Sequence, residues 1–138
     1  MTVNSFQKTI DLLHRGMDAS LVRRDVIANN LANAGVPNFK RSEVNFESEL
    51  KRALETEKLR PALELKLTDP RHIPNWRERD YREVEPRRVL DYVSASRNNG
   101  NNVDAEQEFM LALENQMMYT LLSQSAAFEF GQIASALR

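Results

Sequence analysis

Residues 28–41 read ANNLANAGVPNFKR, and within this stretch a long helical pattern comes to an end. Gly35 has no Cβ and can adopt the left-handed conformation that closes a helix. Pro37 has no amide hydrogen and pushes Val36 towards an extended backbone. The sequence therefore predicts a helix that is capped at Gly35 and followed by a turn.

Three asparagines crowd the last turns of this helix, although asparagine is a poor helix former whose amide competes for backbone groups. Asn29 and Asn33 are four residues apart, and Asn30 and Asn33 are three apart, so these side chains lie close together. We expect their amides to bond either the terminal carbonyls of their own helix or another chain. A polar C-terminal turn with no further role is the alternative interpretation.

The residues before Gly35 form an amphipathic pattern whose apolar members recur at alternating steps of three and four, as in a coiled coil. Polar Ser20 and Arg24 interrupt the register, and Leu21 and Ala28 take their places, so the stripe drifts around the helix. A helix of this length spans about 45 Å. The stripe contains Val3, Phe6, Ile10, Leu13, Met17, Ile27, Leu31 and Ala34.

A second long helical pattern occupies the end of the chain. Asp104 is a candidate N-cap, and Gln107 three residues later completes a capping box. Glu106 and Glu108 suit the positive end of a helix. The pattern predicts a helix about 50 Å long, interrupted only by Gly131. Its broad apolar stripe contains Met110, Leu113, Met117, Leu121, Ala127 and Ala134, and it is widened by Leu111, Met118, Leu122 and Phe128.

The middle of the chain is rich in both charge signs and poor in apolar residues. Residues 41–56 favour a short helix because apolar residues recur every four positions from Phe46. Residues 63–67 alternate leucine with charge and predict a short strand. A second strand is predicted within residues 84–93, where Pro86 forces an edge or a break. We expect this region to be partly irregular.

Length and composition limit the class of protein. A chain of 138 residues supports one structural domain, which we divide into an N-terminal rod helix (1–35), a middle region (36–103) and a C-terminal rod helix (104–138). The net charge of -1 argues against a nucleic-acid binder and a polybasic membrane-surface protein. No apolar run reaches the length of a membrane helix, and residues 1–15 do not have the apolar core of a secretory signal peptide.

The charge distribution favours pairing of the two terminal helices. The net charge is +3 over residues 1–41, 0 over residues 42–103 and -4 over residues 104–138. Opposite charges favour the encounter of the two helices and disfavour like with like. Because both helices join the same middle region, they must run antiparallel. The predicted fold is therefore mainly α, an antiparallel coiled coil of long amphipathic helices with a small irregular middle containing short β-strands.

No group of residues suggests catalysis, a cofactor site or a metal site. The chain has no cysteine, which removes thiolate ligands and nucleophiles. His14 and His72 have no second ligand at a suitable spacing. The carboxylates alternate with Arg and Lys, which is typical of a solvated face. Trp76 among arginines is best interpreted as a buried anchor or a protein interface, because nearby acids cancel the basic field.

Several short motifs resemble one family. NNLAN at 29–33 and PNFK at 37–40 are similar to the N-terminal motif of bacterial flagellar axial proteins, which form the rod and hook. GNNVD at 100–104, Glu106, Glu108 and ENQ at 114–116 resemble the C-terminal motif of the proximal rod subunits within that family. TDPRHI at 68–73 resembles a segment of the same subunits. Val36 departs from the family, which more often has a threonine or serine there, so a hydroxyl that would cap the turn is missing.

The resemblance implies a structural subunit of the proximal rod of the flagellar basal body, which self-assembles through its terminal helices into an axial drive shaft and is not an enzyme. It implies export by the flagellar type III apparatus without a cleaved signal peptide, and a place in the periplasmic rod. Implied partners are further copies, other rod proteins, the rod-base junction protein, the membrane ring and the export apparatus, with no nucleic acid, cofactor or small-molecule substrate.

The assembly residues expected on this basis combine both apolar stripes with the polar corner. They are Phe6, Ile10, Leu13, Met17, Ile27, Asn29, Asn30, Leu31, Asn33, Pro37, Phe39, Met110, Leu113, Asn115, Gln116, Met117, Leu121 and Phe128, with Gly35 and Asp104 as helix caps. Two other classes remain open. A cytoplasmic helical adaptor or export chaperone of the flagellar secretion system would have the same composition, and a rod-associated wall hydrolase would need a carboxylate in an apolar cleft.

Overall fold

The protein is mainly helical, with two long terminal helices and a small middle region, which confirms the predicted fold class. The computed structural model describes residues 5–58, 66–69, 71–73, 79–94 and 98–137. The elements in chain order are helix α1 (Ser5–Ala32), strand β1 (Ser42–Asn45), helix α2 (Glu47–Lys58), a single 3-10 turn (Tyr81–Glu83), strand β2 (Arg87–Leu90) and helix α3 (Ala105–Ala136).

The chain forms two compact units. The larger contains Met1–Val44 and Arg88–Arg138, and the smaller is Asn45–Arg87. The division into three segments of one domain, at residues 35 and 104, remains a prediction.

Helices α1 and α3 pack against each other and run antiparallel. Phe6 near the start of α1 meets Phe130 near the end of α3, with ring centroids 6.0 Å apart and planes at 79°. Further along, a Cβ added at Gly16 would lie only 3.2 Å from Cδ1 of Leu122, so the absence of a side chain allows the close approach. The core of the larger unit lies along this contact and contains Ile10, Ala19, Val26, Ile27, Val103 and Ala126.

The predicted helix at residues 41–56 is wrong in its first turn. Residues 42–45 form β1, which pairs with β2 in a two-stranded antiparallel sheet, and α2 begins only at Glu47. The strand forms because the backbone of this segment has partners elsewhere in the chain. Asp91 N donates to Arg41 O at 2.9 Å at the end of the ladder, and this pairing outweighs the helical spacing of the apolar residues.

The predicted strands of the middle region have mixed outcomes. Residues 63–65 lie outside the described residues, and Lys66 and Leu67, which are described, are not in a strand. The second predicted strand exists as β2, directly after Pro86, and it is shorter than expected because it ends at Leu90. Val3 and Trp76 also lie outside the described residues.

The smaller unit is built on α2. Phe46, Ala53 and Tyr81 are its buried apolar residues. Arg79 Nη1 donates to Glu49 Oε2 at 3.2 Å, an ion pair that contributes little because both groups are partly exposed. None of the described helices is both long enough and apolar enough to cross a membrane.

Candidate assembly surfaces and the asparagine corner

Helix α1 ends without a left-handed glycine, contrary to the sequence-based expectation for Gly35. Asn33 N donates to the carbonyls of Asn29 and Asn30, at 3.2 and 3.1 Å, and the helix gives way to turns after Ala32. Gly35 does not have a positive φ; the non-glycine residue that has one is Asn38, at 59°. No Schellman glycine is needed, because the last carbonyls of α1 accept from the amides that follow them, as Leu31 O does from Ala34 N at 3.2 Å. The carbonyls of the turn after the helix are satisfied by a side chain.

That side chain is Asn101, which is completely buried just before α3. Its Nδ2 donates to the carbonyls of Asn33, Ala34 and Val36 at 3.0, 3.1 and 2.7 Å. Its Oδ1 accepts from the backbone N–H of Val103 at 2.7 Å. One amide therefore holds the turn that follows α1 and fixes the chain that leads into α3.

The three asparagines of α1 have three different environments. Asn30 is completely buried. Its amide donates to Ser42 O at 2.8 Å and accepts from Ser42 N at 3.0 Å, so it bonds the outer edge of β1 as the backbone of a neighbouring strand would. Asn29 is exposed, and its Oδ1 accepts from Arg88 Nη2 at 3.0 Å. Asn33 donates back to Asn29 O at 2.8 Å. All three bond within the chain, and only the Asn30 amide is buried.

Asn102 closes the strand pair at the same end, just beyond Ser42 and Leu90. Its Oδ1 accepts from Arg41 N at 2.6 Å, and its Nδ2 donates to Asp91 O at 2.8 Å. Since Arg41 and Asp91 are directly bonded to each other, the Asn102 amide sits in the ladder like one more peptide group. This arrangement ties β1, β2 and the approach to α3 together.

A buried ion pair completes the same region. Arg41 Nε donates to Glu108 Oε1 at 2.6 Å, with only 11% and 1% of the two side chains exposed. Burial alone would lower the pKa of the Arg41 guanidinium, but the hydrogen bond and charge of Glu108, helped by Glu43 and Asp91, outweigh burial and raise that pKa. The guanidinium is therefore charged at every relevant pH. Glu108 Oε2 is buried and has no hydrogen-bond partner within the described part of the chain.

Together, these residues form what we call the asparagine corner: Asn30, Arg41, Asn101, Asn102 and Glu108. Gly100 lets the chain reach this corner, because its φ is +79° and a Cβ added there would lie 2.5 Å from Oδ1 of Asn38. Lys40 Nζ donates to Gly100 O at 3.0 Å and holds the loop from outside. The loop conformation therefore depends on glycine at position 100 and not at position 35.

Helix α3 begins at its predicted cap. The Asp104 carboxylate accepts from Glu106 N at 3.0 Å, which is the N2 amide and not the Gln107 amide that a capping box would use. On the other side of the corner, Asp91 accepts from the backbone and hydroxyl of Ser94 and from Val93 N, which lowers the pKa of the Asp91 carboxyl below its usual value.

The two faces of α3 are chemically different. Glu108, Asn115 and Ala126 are buried and lie on the side that faces α1. Asn115 Nδ2 donates to Ser20 O of α1 at 2.9 Å, whereas Gln116 is exposed beside an open groove of about 200 Å³. Leu111 and Leu122, which widen the predicted stripe, are half-buried. The side facing α1 is therefore made of polar, small and branched residues.

The opposite side of α3 carries an exposed apolar row, here called the outer stripe: Met110, Leu113, Met117, Leu121 and Phe128. Between 52% and 65% of each of these residues is exposed. Met117 lies two residues beyond Asn115, which places it about 200° further around the helix. The predicted apolar stripe of α3 thus points away from α1.

The predicted residues of α1 and of the turn complete this picture. Ile10 and Ile27 are buried. Phe6, Leu13, Met17 and Phe39 are half-buried, while Pro37 and Leu31 are exposed.

Four corner residues, Arg41, Asn101, Asn102 and Glu108, were not predicted as site residues. The sequence signal for Asn101, Asn102 and Glu108 was their place in the motif that resembles the family, which does not reveal what each side chain bonds.

The chemistry of these surfaces is that of a joint and a docking face. Within the described residues no three His, Asp or Glu side chains are grouped so that they could hold a metal ion. The charged groups of the corner, Arg41 and Glu108, bind each other within the chain. The outer stripe offers apolar area alone, which binds other apolar surfaces and does no chemistry.

The long, antiparallel terminal helices fit the resemblance of the sequence to flagellar axial proteins, and comparison with known proteins shows the family. Residues 10–40, which hold most of α1 and the turn after it, match the family model described as "Flagella basal body rod protein".

Relatives cover the rest of the chain. A flagellar basal body rod protein FlgB of Borreliella burgdorferi is 40% identical over 99% of this chain and 100% of its own length. FlgB of Borrelia hermsii is 40% identical over 95% of this chain and 96% of its own, and FlgB of Bacillus subtilis is 29% identical over 96% and 95%. The chain belongs to the flagellar basal body rod protein family and is a component of the basal-body rod.

Proposed function

We propose that this chain is a self-assembling structural subunit of the proximal rod, where copies pack through their terminal helices to form the axial drive shaft. The observation that carries the proposal is the outer stripe of α3, which leaves five large apolar side chains uncovered on the face opposite α1. A helix that packs on one side and carries a row of exposed apolar residues on the other requires a second packing partner. Neighbouring subunits in the rod supply that partner.

The asparagine corner supports the mechanical part of the proposal. A drive shaft has to transmit torque without sliding of its helices. Asn101 and Asn102 fix the end of α1 and the strand pair to the start of α3, and the Arg41–Glu108 pair adds a charged bond between the same parts. Directional bonds of this kind resist shear better than apolar contacts, which are non-directional.

The remaining features of the proposal follow from a place in the rod. The partners are further copies, other rod proteins, the rod-base junction protein and the membrane ring. The subunit reaches the periplasmic rod through the flagellar export apparatus without a cleaved signal peptide. It has no catalytic role and binds no cofactor or nucleic acid. The alternative of a cytoplasmic adaptor or export chaperone finds no support in its FlgB relatives.

The test is a charge placed at the centre of the outer stripe. Met117→Arg is expected to abolish motility and basal-body incorporation, because an arginine cannot be buried unpaired between helices. Since Met117 is 54% exposed in the subunit, the free energy of unfolding of the isolated chain should change by less than about 0.5 kcal/mol.

Met117→Leu, which keeps the apolar volume, is the matched control and should support motility. Secreted protein and purified basal bodies are probed for both variants. Leu31→Arg is the equivalent change on α1. A motile strain with Met117→Arg in its rods would contradict the proposal.

A further inference from the structure

The two-stranded sheet has one edge that is covered and one that is open. The outer edge of β1 is bonded by the amide of Asn30, which occupies both backbone groups of Ser42. No described strand pairs with the outer edge of β2. The direct bond between Asp91 and Arg41 fixes the alternation along β2, so the N–H and C=O groups of Arg88 and Leu90 point outward.

The second half of β2 and the residues that follow it are apolar and exposed. Val89 and Leu90 are 49% and 46% exposed, and Tyr92 and Val93, which follow the strand, are 72% and 98% exposed. An uncovered edge with exposed apolar side chains is a template for another strand, and proteins usually protect such edges. Among the described residues, the Asn30 amide covers the edge of β1 and no comparable group covers the edge of β2.

We propose that the open edge of β2 binds the same edge of a second copy, as an antiparallel pair centred on Val89. In this register Arg88 and Leu90 of one copy exchange four backbone hydrogen bonds with Leu90 and Arg88 of the other. Val89 faces Val89 across the two-fold axis. Arg87 stands opposite Asp91 at both ends, so the sequence of this strand is complementary in charge to its own reverse.

Three features of the strand favour a second copy as the occupant. The antiparallel self-pairing places no like charges opposite each other, whereas a shift by two residues would set Arg87 against Val89 and remove the ion pairs. Pro86, which has no N–H, directly precedes β2 and limits the ladder to this short length. The Asp91 carboxylate is held by Ser94 and Val93 and stays ionised, so the charge that faces Arg87 is persistent.

The pairing is separate from rod assembly. A two-fold contact is closed, whereas the repeating contact of a polar shaft is heterologous. The dimer therefore belongs to subunits outside the rod and leaves the outer stripe of α3 uncovered. Because its buried area is that of a single strand edge, the association is weak and reversible.

Sedimentation velocity over a wide range of protein concentration tests the pairing in the full chain. We expect a reversible monomer–dimer equilibrium that Val89→Lys abolishes and that Met117→Lys, at a similarly exposed position of α3, leaves unchanged. Arg87→Glu, which places a carboxylate opposite Asp91, should weaken the dimer, and added salt should partly restore it. A monomer at every concentration, or a dimer lost in Met117→Lys and kept in Val89→Lys, would overturn the proposal.

Cross-linking tests the register directly, because the chain has no cysteine of its own. Val89→Cys places two thiols at a non-hydrogen-bonded antiparallel pair, a spacing that a disulfide can bridge. It should give a disulfide-linked dimer under mild oxidation. Val93→Cys is the control, since Val93 is more exposed but lies away from the axis. Equal rates of cross-linking in the two variants would mean random collision and would refute the register. Circular dichroism verifies that each variant retains its helices.

Discussion

The asparagine corner and the outer stripe meet on the first turns of α3, and they differ in where their partners are. Glu108 is completely buried and bonded to Arg41, whereas Met110, two residues later, is 65% exposed. The corner is polar and finds its partners within the chain. The stripe is apolar and finds none among the residues that the structure describes. Stability should therefore depend on the corner, and assembly should depend on the stripe.

Glu108→Ala should cause the largest loss of stability. It leaves the Arg41 guanidinium buried without its main partner, and breaking such a pair costs about 3 kcal/mol or more. Urea unfolding of the isolated chain measures the change. Glu106→Ala, on an exposed residue in the same turn, is the control and should cost less than about 1 kcal/mol. Similar costs for the two variants would mean that the buried pair does not hold the corner.

Asn30→Ala should have the next largest effect. It removes both bonds to the Ser42 backbone and leaves a buried N–H and C=O unsatisfied, at a cost of about 2 kcal/mol. Asn29→Ala, at the neighbouring exposed position, should cost less than about 0.5 kcal/mol. Thermal unfolding of both variants provides the comparison. If Asn29→Ala proved the more damaging, the exposed bond to Arg88 would be the important one.

The sequence was sufficient to predict the long helices and one half of the asparagine corner, but not the other half. Helical spacing and charge located α1 and α3 and their antiparallel pairing, because long periodic patterns outweigh local irregularities. The cluster of Asn29, Asn30 and Asn33 located the corner. The roles of Asn101 and Asn102 in the corner were not predicted. These residues lie more than sixty residues away and bond to backbone groups, and such bonds do not appear in the spacing of side chains along the sequence. The same limit applies to residues 42–45, whose strand depends on β2 and not on their own spacing.

The faces of α3 illustrate a second limit. Its apolar residues surround the helix, so periodicity could not decide which row faces α1. Close packing decided it. Gly16 on α1 accepts Leu122, and Asn115 reaches Ser20, while the larger Met and Phe side chains remain outside. Complementary shape between two helices is a property of pairs, and it cannot be obtained from one helix at a time.

The two turn glycines should respond differently to replacement by alanine. Gly100→Ala forces a side chain into a positive φ and against Asn38, and it should cost about 1–2 kcal/mol. Gly35→Ala meets no atom within 4 Å and needs no positive φ, so it should be neutral or stabilise by up to about 1 kcal/mol. Thermal unfolding separates them. Destabilisation by Gly35→Ala would restore that residue as the cap of α1.

The smallest expected effect on stability concerns Asp91, which lies beside the asparagine corner. Its backbone carbonyl accepts from Asn102, and its side chain is ionised. Hydrogen bonds from Ser94 and Val93 hold the pKa of the Asp91 carboxyl below its usual 3.8. Because the folded pKa is below the unfolded one, the contribution to stability is complete above the unfolded pKa and is lost as the pH falls through the folded pKa. The carboxyl titration followed by NMR should have its midpoint below 3.8.

Ser94→Ala removes the hydroxyl bond to Asp91 and should move that midpoint back towards the usual value, with a shallower loss of stability on acidification. Ser123→Ala on α3, whose hydroxyl bonds only its own helix among the described residues, is the control and should not move it. If the titration midpoint of Asp91 were the same with and without the Ser94 hydroxyl, the carboxylate would be exposed to solvent and not bonded to the turn. The turn at Asp91 and Ser94 would then be a free surface like the outer stripe, and it would not be part of the asparagine corner, whose polar groups bond within the chain.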